Sequence, residues 1–559
     1  MRASLSDLCD ITAACPSYKN RVIVHWTRFF PGPAWFAYAK KRGAAMTITR
    51  TAAIRPGRAL FALTLAVSVV LLGSTILNVA LPALHATMGA GATAQQWILN
   101  GYTLTFAGFL LVAGNAGDRF GLKRLLFWGT AAFAVTTAIC GSLDSVTWVI
   151  VLRALMGVAA AAIMPTSLAV ILRIFPAENR ARAIAVWAAA SGLSISLGPL
   201  LGGALLSAGL WWGSVLELVA VLGLLAFLSV VAWVPDVPGS GTGELRMLPV
   251  AGSLSGISLL VYGVVHVNEG GWGSTGTWLP VLAGLLILSG LVLTEIRHRE
   301  PLIDVALFRH RSFTVAVAAL TLSSFVMFGY MYVVTFYLQV ERGYSPLRTG
   351  LLLIPLSGGL ALGAPLSRLV TRRIGARATM TVGLGLITVA LAGAVGLGSH
   401  TPASWFMLDA FVLSGGFALV LSPGITLASS SVPADRAGAG SALLNTLRQL
   451  GSALGVAVLG STLWSHYASM LSRGLGGVPA HVRVTAASSL TSALAAGPTV
   501  AHAADKSFLG AMHEVSLIAA GVTAAAFAAT ALIRGESRRR GRAMTSDDRP
   551  DSEPAYASR

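Results

Sequence analysis

Fourteen apolar runs of near-membrane length divide most of this chain. One helix of about twenty apolar residues crosses a bilayer, and backbone polar groups in lipid must be hydrogen-bonded within the segment. Period-two alternation over ten-residue segments is missing, which argues against a membrane barrel. The sequence therefore predicts an all-α membrane protein with helices near 59–80, 95–114, 125–143, 147–172, 181–206, 211–234, 248–268, 278–296, 313–339, 349–370, 378–398, 404–428, 437–464 and 510–533.

The net charge of +18 is distributed in a way that indicates membrane orientation. Of the 40 Lys and Arg residues, ten precede residue 60, seven follow Ile533, and roughly sixteen more lie in short loops on one predicted side. The loops of the other side hold about five. Short basic loops remain cytoplasmic. We therefore expect a multi-pass plasma (inner) membrane protein with both termini in the cytoplasm and no nucleic-acid partner.

Sequence patterns typical of enzymes and metal proteins are missing. The chain has no Gly-x-x-x-x-Gly-Lys phosphate loop, no Gly-x-Ser-x-Gly elbow and no His-Glu-x-x-His pair. Its ten His residues are scattered without metal-ligand spacing. Three cysteines, Cys9, Cys15 and Cys140, form no framework. The sequence thus predicts a protein that is not an enzyme, with no cofactor and no bound metal.

A short charged link occurs twice. Residues 118–123 read Asp-Arg-Phe-Gly-Leu-Lys, and residues 372–377 read Arg-Arg-Ile-Gly-Ala-Arg. Each copy separates two apolar runs, as expected for a transporter built from related halves. The first copy follows helix 2 and the second follows helix 10. In a transporter of two six-helix halves the second copy would follow helix 8, so two helices are extra and lie between the halves. This predicts a leader (1–58), a six-helix bundle (59–236), a linker with a two-helix insert (237–312), a second six-helix bundle (313–533) with an outer loop (466–508), and a cytoplasmic tail (534–559). The outer loop is predicted because that segment is polar and is interrupted by Pro479 and Pro498.

The tail is predicted to be disordered, because it is charged and contains several Ser residues. We expect the leader to be disordered as well; a location on the membrane surface is an alternative, because residues 25–42 mix aromatic and basic side chains. For the leader, an alternative is that translation starts at Met46.

The first copy of the link resembles the loop between helices 2 and 3 of the major facilitator superfamily. In that family the loop latches the two halves together in the outward-facing state. Topology-setting charge alone is the alternative explanation for the pattern. The resemblance implies a latch formed by Gly114, Asp118, Arg119, Gly121, Lys123 and Arg124.

Helix 4 contains an arginine within an apolar run. Burying Arg153 in a membrane costs at least a few kcal/mol, so it needs a partner or a wet cavity. The fourth helix of the family carries an Arg followed four residues later by Gly, as Arg153 and Gly157 are here. The resemblance implies a role in proton coupling, and the alternative is a side chain that extends to the membrane surface.

Helix 5 resembles the glycine-rich, Gly-Pro helix of the family's exporters. Small residues allow helices to approach closely, and a proline bends the helix. The pattern therefore favours export, although a generic kinked packing helix would share it. Its residues are Gly192, Gly198, Pro199, Gly202 and Gly203.

Three further segments, 302–308, 343–355 and 438–451, resemble the fourteen-helix drug:proton antiporter branch, a multidrug efflux family. The resemblance covers roughly residues 59–533. It implies a central cavity lined by helices 1, 4, 5, 9, 10 and 12, and ordinary helix packing is the alternative for each candidate. Candidate lining residues are Asn78, Tyr330, Tyr332, Phe336, Asn445 and Arg448.

Helix 1 departs from the family pattern, because Gly73 stands where the family usually has Asp. Proton coupling must then use another acid. Asp409 and Glu217 fall inside predicted spans, and a desolvated carboxyl group can exchange protons near neutral pH. We favour Asp409, with a solvated interfacial acid as the alternative for each.

The sequence therefore predicts a monomeric, proton-coupled exporter of amphipathic small molecules such as drugs, dyes or antibiotics. Two alternatives stay open. One is an exporter or importer of a specific metabolite, and the other is an uncoupled, non-transporting membrane sensor.

Overall fold

A computed structural model describes residues 56–238, 247–298, 305–432, 437–475 and 478–532. The described residues form long helices with no strand. In chain order these are α1 Pro56–Thr75, α2 Ala92–Phe120, α3 Leu122–Gly141, α4 Val146–Ile174, α5 Ala177–Ser207, α6 Ser214–Trp233, α7 Met247–Val265, α8 Thr275–Arg297, α9 Arg311–Phe336, α10 Ile354–Ile374, α11 Ala376–Gly393, α12 Ala403–Ser430, α13 Ala437–Gly474 and α14 Pro498–Leu532.

Shorter helices lie in the connections: Leu81–Met88, Val267–Gly270, Pro346–Leu352, Ala480–Ser488 and Leu490–Ala495. Apart from residues 56–58, the predicted leader lies outside the described residues, and so does the whole predicted tail.

Twelve of the described helices are long and apolar enough to cross a membrane. The other two long helices, α2 of 29 residues and α13 of 38 residues, are long enough but are not among these twelve. These two helices pack against each other. Polar side chains join them, since Ser461 Oγ of α13 donates a hydrogen bond of 3.1 Å to Gln96 Oε1 of α2. Some of their polar side chains therefore bond the neighbouring helix and do not face lipid.

The helices pack as two sets and one pair. Within α1–α6, α2 and α3 both lie against α4, and α1 lies against α5 and α6. Within α9–α14, α9 packs along α13, and α12 packs along both α10 and α11. The pair α7 and α8 lies on the flank of the α2–α13 contact, because α7 touches both of those helices.

The repeated link has the same backbone geometry in both places. Gly121 ends α2 and precedes α3 with φ +97°, and Gly375 ends α10 and precedes α11 with φ +86°. The N–H of each glycine donates to the carbonyl four residues earlier, at 3.0 and 2.9 Å. Only glycine adopts this backbone region readily. The sequence repeat is therefore also a repeat of structure.

The basic residue two positions after each glycine reaches the end of another helix. Lys123 Nζ lies 3.7 Å from Asp236 Oδ1, just beyond α6. Arg377 Nε and Nη2 donate to Thr530 O in the last turn of α14, at 2.9 and 2.6 Å. A cation near a helix C-terminus is favourable. We call the end of the molecule with these links (119–124 and 372–377) the basic end, and the end with Leu81–Met88 and Pro346–Leu352 the opposite end.

The predicted outer loop 466–508 is shorter than expected. Helix α13 continues to Gly474, α14 begins at Pro498, and the connection itself contains two short helices. The prediction took Pro479 and Pro498 as interruptions. Proline suits the first turn of a helix, where its missing N–H is not needed. Pro479 caps the helix Ala480–Ser488 and Pro498 opens α14, so both prolines begin helices instead.

Candidate functional site

Arg153 lies in α4 and is completely buried. Its Nε donates to Ile98 O at 3.1 Å and its Nη1 donates to Gly73 O at 2.9 Å. The guanidinium carbon lies 4.4 Å from the centre of the Tyr102 ring. Backbone carbonyls and an aromatic face stabilise a buried cation. Arg153 is therefore held by α1 and α2 inside the protein and does not extend to the membrane surface.

Two glycines shape the surroundings of Arg153. A Cβ atom at Gly157 would overlap Thr105 Oγ1, so α2 and α4 approach too closely there for any other residue. A Cβ atom at Gly73 would lie 3.2 Å from Phe133 Cζ. A side chain at position 73 would thus point towards α3, while the Gly73 carbonyl is the group that serves Arg153.

The glycines of α5 form its contact with α1. A Cβ atom at Gly198 would overlap Thr75 Oγ1, and one at Gly202 would lie 3.0 Å from Ile76 Cγ1. Gly192 differs, because nothing lies within 4 Å of the place where its Cβ would be. The predicted glycine-rich face therefore packs tightly at its later residues only.

The same helix also contacts the C-terminal set of helices. A Cβ atom at Gly203 would overlap Pro346 O in the short helix Pro346–Leu352. A Cβ atom at Gly350 would lie 2.7 Å from Pro199 O. Glycines on both sides thus allow α5 and Pro346–Leu352 to touch along their backbones.

Hydrogen bonds across the opposite end join the two sets in further places. Gln339 Nε2 donates to Val79 O at 2.9 Å, and the Leu347 N–H donates to Ser207 Oγ at 2.8 Å. His85 Nε2 and Ser489 Oγ form a bond of 2.7 Å. Together with the glycine contacts of α5, these bonds close the opposite end in this conformation.

Asp409 lies in α12 and is only 7% exposed. Its polar neighbour is the hydroxyl of Tyr330 on α9, which is 3% exposed. Neither Asp409 Oδ2 nor Tyr330 Oη has a geometrically complete hydrogen bond among the described residues. A buried, incompletely bonded carboxylate is costly unless it takes up a proton. Glu217, by contrast, is exposed in the first turn of α6.

The aromatic cavity candidates are packed at the closed opposite end. Tyr332 is fully buried and Phe336 is 4% exposed. Their ring centres lie 5.1 Å apart, and Trp464 Nε1 donates to Tyr332 Oη at 3.0 Å. In this conformation these side chains form an aromatic cluster rather than an open surface.

The other cavity candidates differ in their surroundings. Asn78 is buried, and its Nδ2 donates to Thr75 O at 3.1 Å. Asn445 and Arg448 are half-buried one turn apart on α13. Arg448 Nε is buried and has no hydrogen-bond partner among the described residues.

The predicted latch residues surround Gly121 at the basic end. Arg119 and Arg124 are exposed, and the Arg119 guanidinium carbon lies 5.6 Å from the Phe120 ring centre. The backbones of Gly114 and Asp118 belong to α2, and the Asp118 side chain lies outside the described part of the structure.

The sequence profile of the Major Facilitator Superfamily matches residues 63–456 of this chain. The chain belongs to the Major Facilitator Superfamily. It is accordingly a multi-pass membrane transporter rather than an enzyme.

Relatives of this transporter include proteins named for drug resistance. It is 34% identical to the Tetracenomycin C resistance and export protein of Streptomyces glaucescens, over 73% of this chain and 76% of that protein. It is 32% identical to Multidrug resistance protein Stp of Mycobacterium tuberculosis, over 72% and 75%. It is 33% identical to Puromycin resistance protein pur8 of Streptomyces alboniger, over 70% and 78%. The predicted relationship to the drug-efflux branch is confirmed.

Solved structures confirm the fold. A bacterial homolog of the human lysosomal transporter Spinster superimposes with a TM-score of 0.61 at 18% identity, covering 85% of this chain and 97% of that one. The predicted all-helical major facilitator fold is therefore correct.

Two acidic residues of this transporter were not predicted from the sequence. Glu341 follows α9 and Asp505 lies in α14, and each has a buried carboxyl oxygen without a hydrogen-bond partner among the described residues. The sequence prediction placed residue 505 in an outer loop, so no buried carboxyl oxygen was expected there.

Proposed function

We propose that this transporter exports amphipathic small molecules, such as drugs, dyes or antibiotics, across the plasma membrane in exchange for protons. The observation that carries the proposal is the 34% identity to a protein named for tetracenomycin C resistance and export. The lack of a phosphate-binding loop in the sequence favours the proton gradient over ATP as the energy source.

The proposed orientation places the basic end in the cytoplasm, following the distribution of Lys and Arg. The opposite end then faces outwards, and the contacts of α5 with Pro346–Leu352 form an outer gate. We propose that α1–α6 and α9–α14 are two bundles that rock around a central site, with α7 and α8 as an inserted pair. Opening the outer gate would release substrate and admit protons.

Asp409 is the proposed coupling residue. It would bind a proton when the outer gate is open and release it when the cytoplasmic side opens. A carboxyl group buried among apolar residues favours its neutral form, so it can carry a proton through the closed conformations. Glu217 is the weaker candidate because it is exposed.

Efflux from cells tests the proposed function. The protein is expressed in a host without its own drug pumps, and the export of a panel of dyes and antibiotics is measured. Collapsing the proton gradient with a protonophore while ATP is held constant should stop export. Movement of one metabolite only would support the metabolite-transport alternative. Export that persists without the gradient would overturn proton coupling, and a lack of any substrate-dependent proton flux would support the sensor alternative.

Reporter fusions test the proposed topology. A reporter that is active only outside the membrane should be silent after Arg540 and active near residue 485. An active fusion after Arg540 would contradict cytoplasmic termini.

We also propose that the link at the basic end is the latch of the outward-facing state. Asp118→Asn should abolish export at normal membrane levels, and Gly121→Leu should do the same because residue 121 has φ +97°. Phe120→Leu, at an exposed neighbouring position, is the control. Unchanged export by Asp118→Asn would overturn the latch.

A further inference from the structure

Uncharged polar and aromatic side chains lie together where α2, α9 and α13 meet. The meeting point is Gly460 of α13, where a Cβ atom would lie 2.7 Å from Gln96 Nε2 and 3.0 Å from Tyr332 Cε1. We use the name amide–aromatic cluster for six buried residues at this place. They are Gln96 and Asn100 of α2, Tyr332 and Phe336 of α9, and Ser461 and Trp464 of α13.

Asn100 faces α13 without a hydrogen bond. It is fully buried, and neither polar atom of its amide has a hydrogen-bond partner among the described residues. Contacts of α2 with α13 lie on both sides of it. Ser461 Oγ donates to Gln96 Oε1 at 3.1 Å on one side. Thr446 Oγ1 donates to Ala107 O at 3.3 Å on the other. An unpaired buried amide destabilises a protein, so packing of α2 against α13 does not explain an asparagine here.

Gln96 also has an amide atom to spare. Its Oε1 accepts the bond from Ser461, while its buried Nε2 has no hydrogen-bond partner among the described residues. Gln96 and Asn100 are four residues apart and so share one face of α2. Each side-chain amide contains a donor group and an acceptor oxygen. The face of α2 towards α13 therefore presents donors and an acceptor on successive turns.

Aromatic rings form the other part of the cluster. The centre of the Phe336 ring lies 5.1 Å from that of Tyr332 and 5.2 Å from that of Trp464. Trp464 Nε1 donates to Tyr332 Oη at 3.0 Å. A cavity of about 20 Å³ lies against Phe336 and Trp464 and is also lined by His85 and Leu490. The cluster is therefore next to the contacts that close the opposite end.

The cluster contains no acidic or basic side chain. A charged ligand that enters a buried site without an opposite charge is strongly disfavoured. Aromatic rings with a few well-placed polar groups are the usual lining of a site for a small apolar molecule. The chemistry of the cluster therefore fits an uncharged aromatic ligand with hydrogen-bonding groups.

We propose that the amide–aromatic cluster is a substrate-binding site that selects uncharged aromatic molecules with hydroxyl and carbonyl groups. The inference rests on the proposed function as an exporter. Because α2 and α13 belong to different sets of helices, rocking of the two sets separates them and uncovers Gln96 and Asn100. The ligand ring then packs against Tyr332, Phe336 and Trp464, and its hydroxyl and carbonyl groups pair with the two amides. Asn100 is unpaired in the closed conformation because its partner is the ligand.

Binding of ligands that share one ring system tests the site. They are a hydroxyflavone whose hydroxyl group lies away from its carbonyl group, unsubstituted flavone, and a flavone with a quaternary ammonium group. Equilibrium binding to the purified full-length protein is measured at mildly acidic pH, where the hydroxyl group stays protonated. The wild-type protein should bind hydroxyflavone about tenfold more tightly than either of the other ligands.

Asn100→Leu is the decisive variant, because leucine has the same arrangement of heavy atoms as asparagine without the polar groups. The preference for hydroxyflavone over flavone should disappear. The unfolding temperature should stay the same or rise, since an unpaired buried amide is removed. A purely structural Asn100 would instead lower stability and weaken the binding of all ligands alike.

Asn268→Leu is the matched control. The amide atoms of Asn268 are also buried without a hydrogen-bond partner among the described residues, but this residue lies in the short helix Val267–Gly270. Its replacement should leave the ligand preference unchanged. Gln96→Met should lose the preference, as Asn100→Leu does.

The site is wrong if the wild-type protein binds hydroxyflavone no better than flavone, or if Asn100→Leu keeps the preference. Tighter binding of the cationic flavone would also overturn it and would show that the aromatic faces select cations. If Asn100→Leu does not fold, a retained preference in Gln96→Met decides against the site. Proton-driven export of other dyes by the wild-type protein would leave the proposed exporter intact in each of these cases. A wild-type protein that exports no dye or antibiotic would overturn the proposed function and, with it, this site.

Discussion

Arg153 and Asp409, one basic and one acidic, lie at corresponding places in the two sets of helices. Each is on the second helix after a copy of the repeated glycine link, Arg153 as the eighth residue of α4 and Asp409 as the seventh of α12. Arg153 donates to two backbone carbonyls and lies over an aromatic ring, although its Nη2 is buried without a hydrogen-bond partner among the described residues. Asp409 has an oxygen without a complete hydrogen bond and a tyrosine beside it.

Equivalent positions of a repeated fold can therefore hold residues with different roles. An arginine stays charged in proteins, so a buried arginine must be satisfied by fixed acceptors. A buried carboxyl group can become neutral by binding a proton. We infer that Arg153 is a structural cation that joins α1, α2 and α4, while Asp409 is free to change its charge during transport.

The largest expected effect is on stability, from Arg153→Ala. Two carbonyl groups lose their charged donor and a large side chain leaves a cavity, so the free energy of unfolding should fall by about 3–5 kcal/mol. Asp409→Asn should change it by less than about 1 kcal/mol, because it removes a poorly satisfied acid. Thermal unfolding of the two purified variants in one detergent measures the contrast. Equal losses would show that both residues are structural.

A smaller effect is expected when an acid is added beside the arginine. Gly73→Asp should lower the unfolding temperature, because its Cβ would lie 3.2 Å from Phe133 Cζ and would point towards α3. Gly73→Ala is the control for the added Cβ alone. If Gly73→Asp instead extends export to cationic dyes at unchanged stability, an acid at this position reaches the cavity. The region around Arg153 would then take part in transport, as we propose for Asp409.

The smallest effect is expected at the neighbour of Asp409. Tyr330→Phe removes only a hydroxyl, so proton-driven export should slow by several-fold while stability changes by about 1 kcal/mol or less. Export rates at several pH values measure it, with Thr335→Val as the control for losing a buried hydroxyl on the same helix. A fully active Tyr330→Phe protein would show that Asp409 works without this tyrosine.

The helices and the repeat were predictable because apolar runs and a glycine link leave clear local signals. Gly121 and Gly375 even share one backbone conformation, as their sequence similarity suggested. Prolines at 479 and 498 misled the prediction, since a proline both ends and begins helices. The burial of Arg153 and the exposure of Glu217 depend on packing between distant segments, which one sequence does not display.

Asp409→Asn tests the central claim most directly. Purified wild-type and variant proteins are reconstituted into vesicles, and proton movement is recorded when an exported dye is supplied as a gradient. The account predicts that the variant binds dye as the wild-type protein does and exchanges dye without a gradient, while its dye-driven proton movement disappears. Full proton movement in Asp409→Asn would contradict the account, because the coupling proton would then be carried by another group.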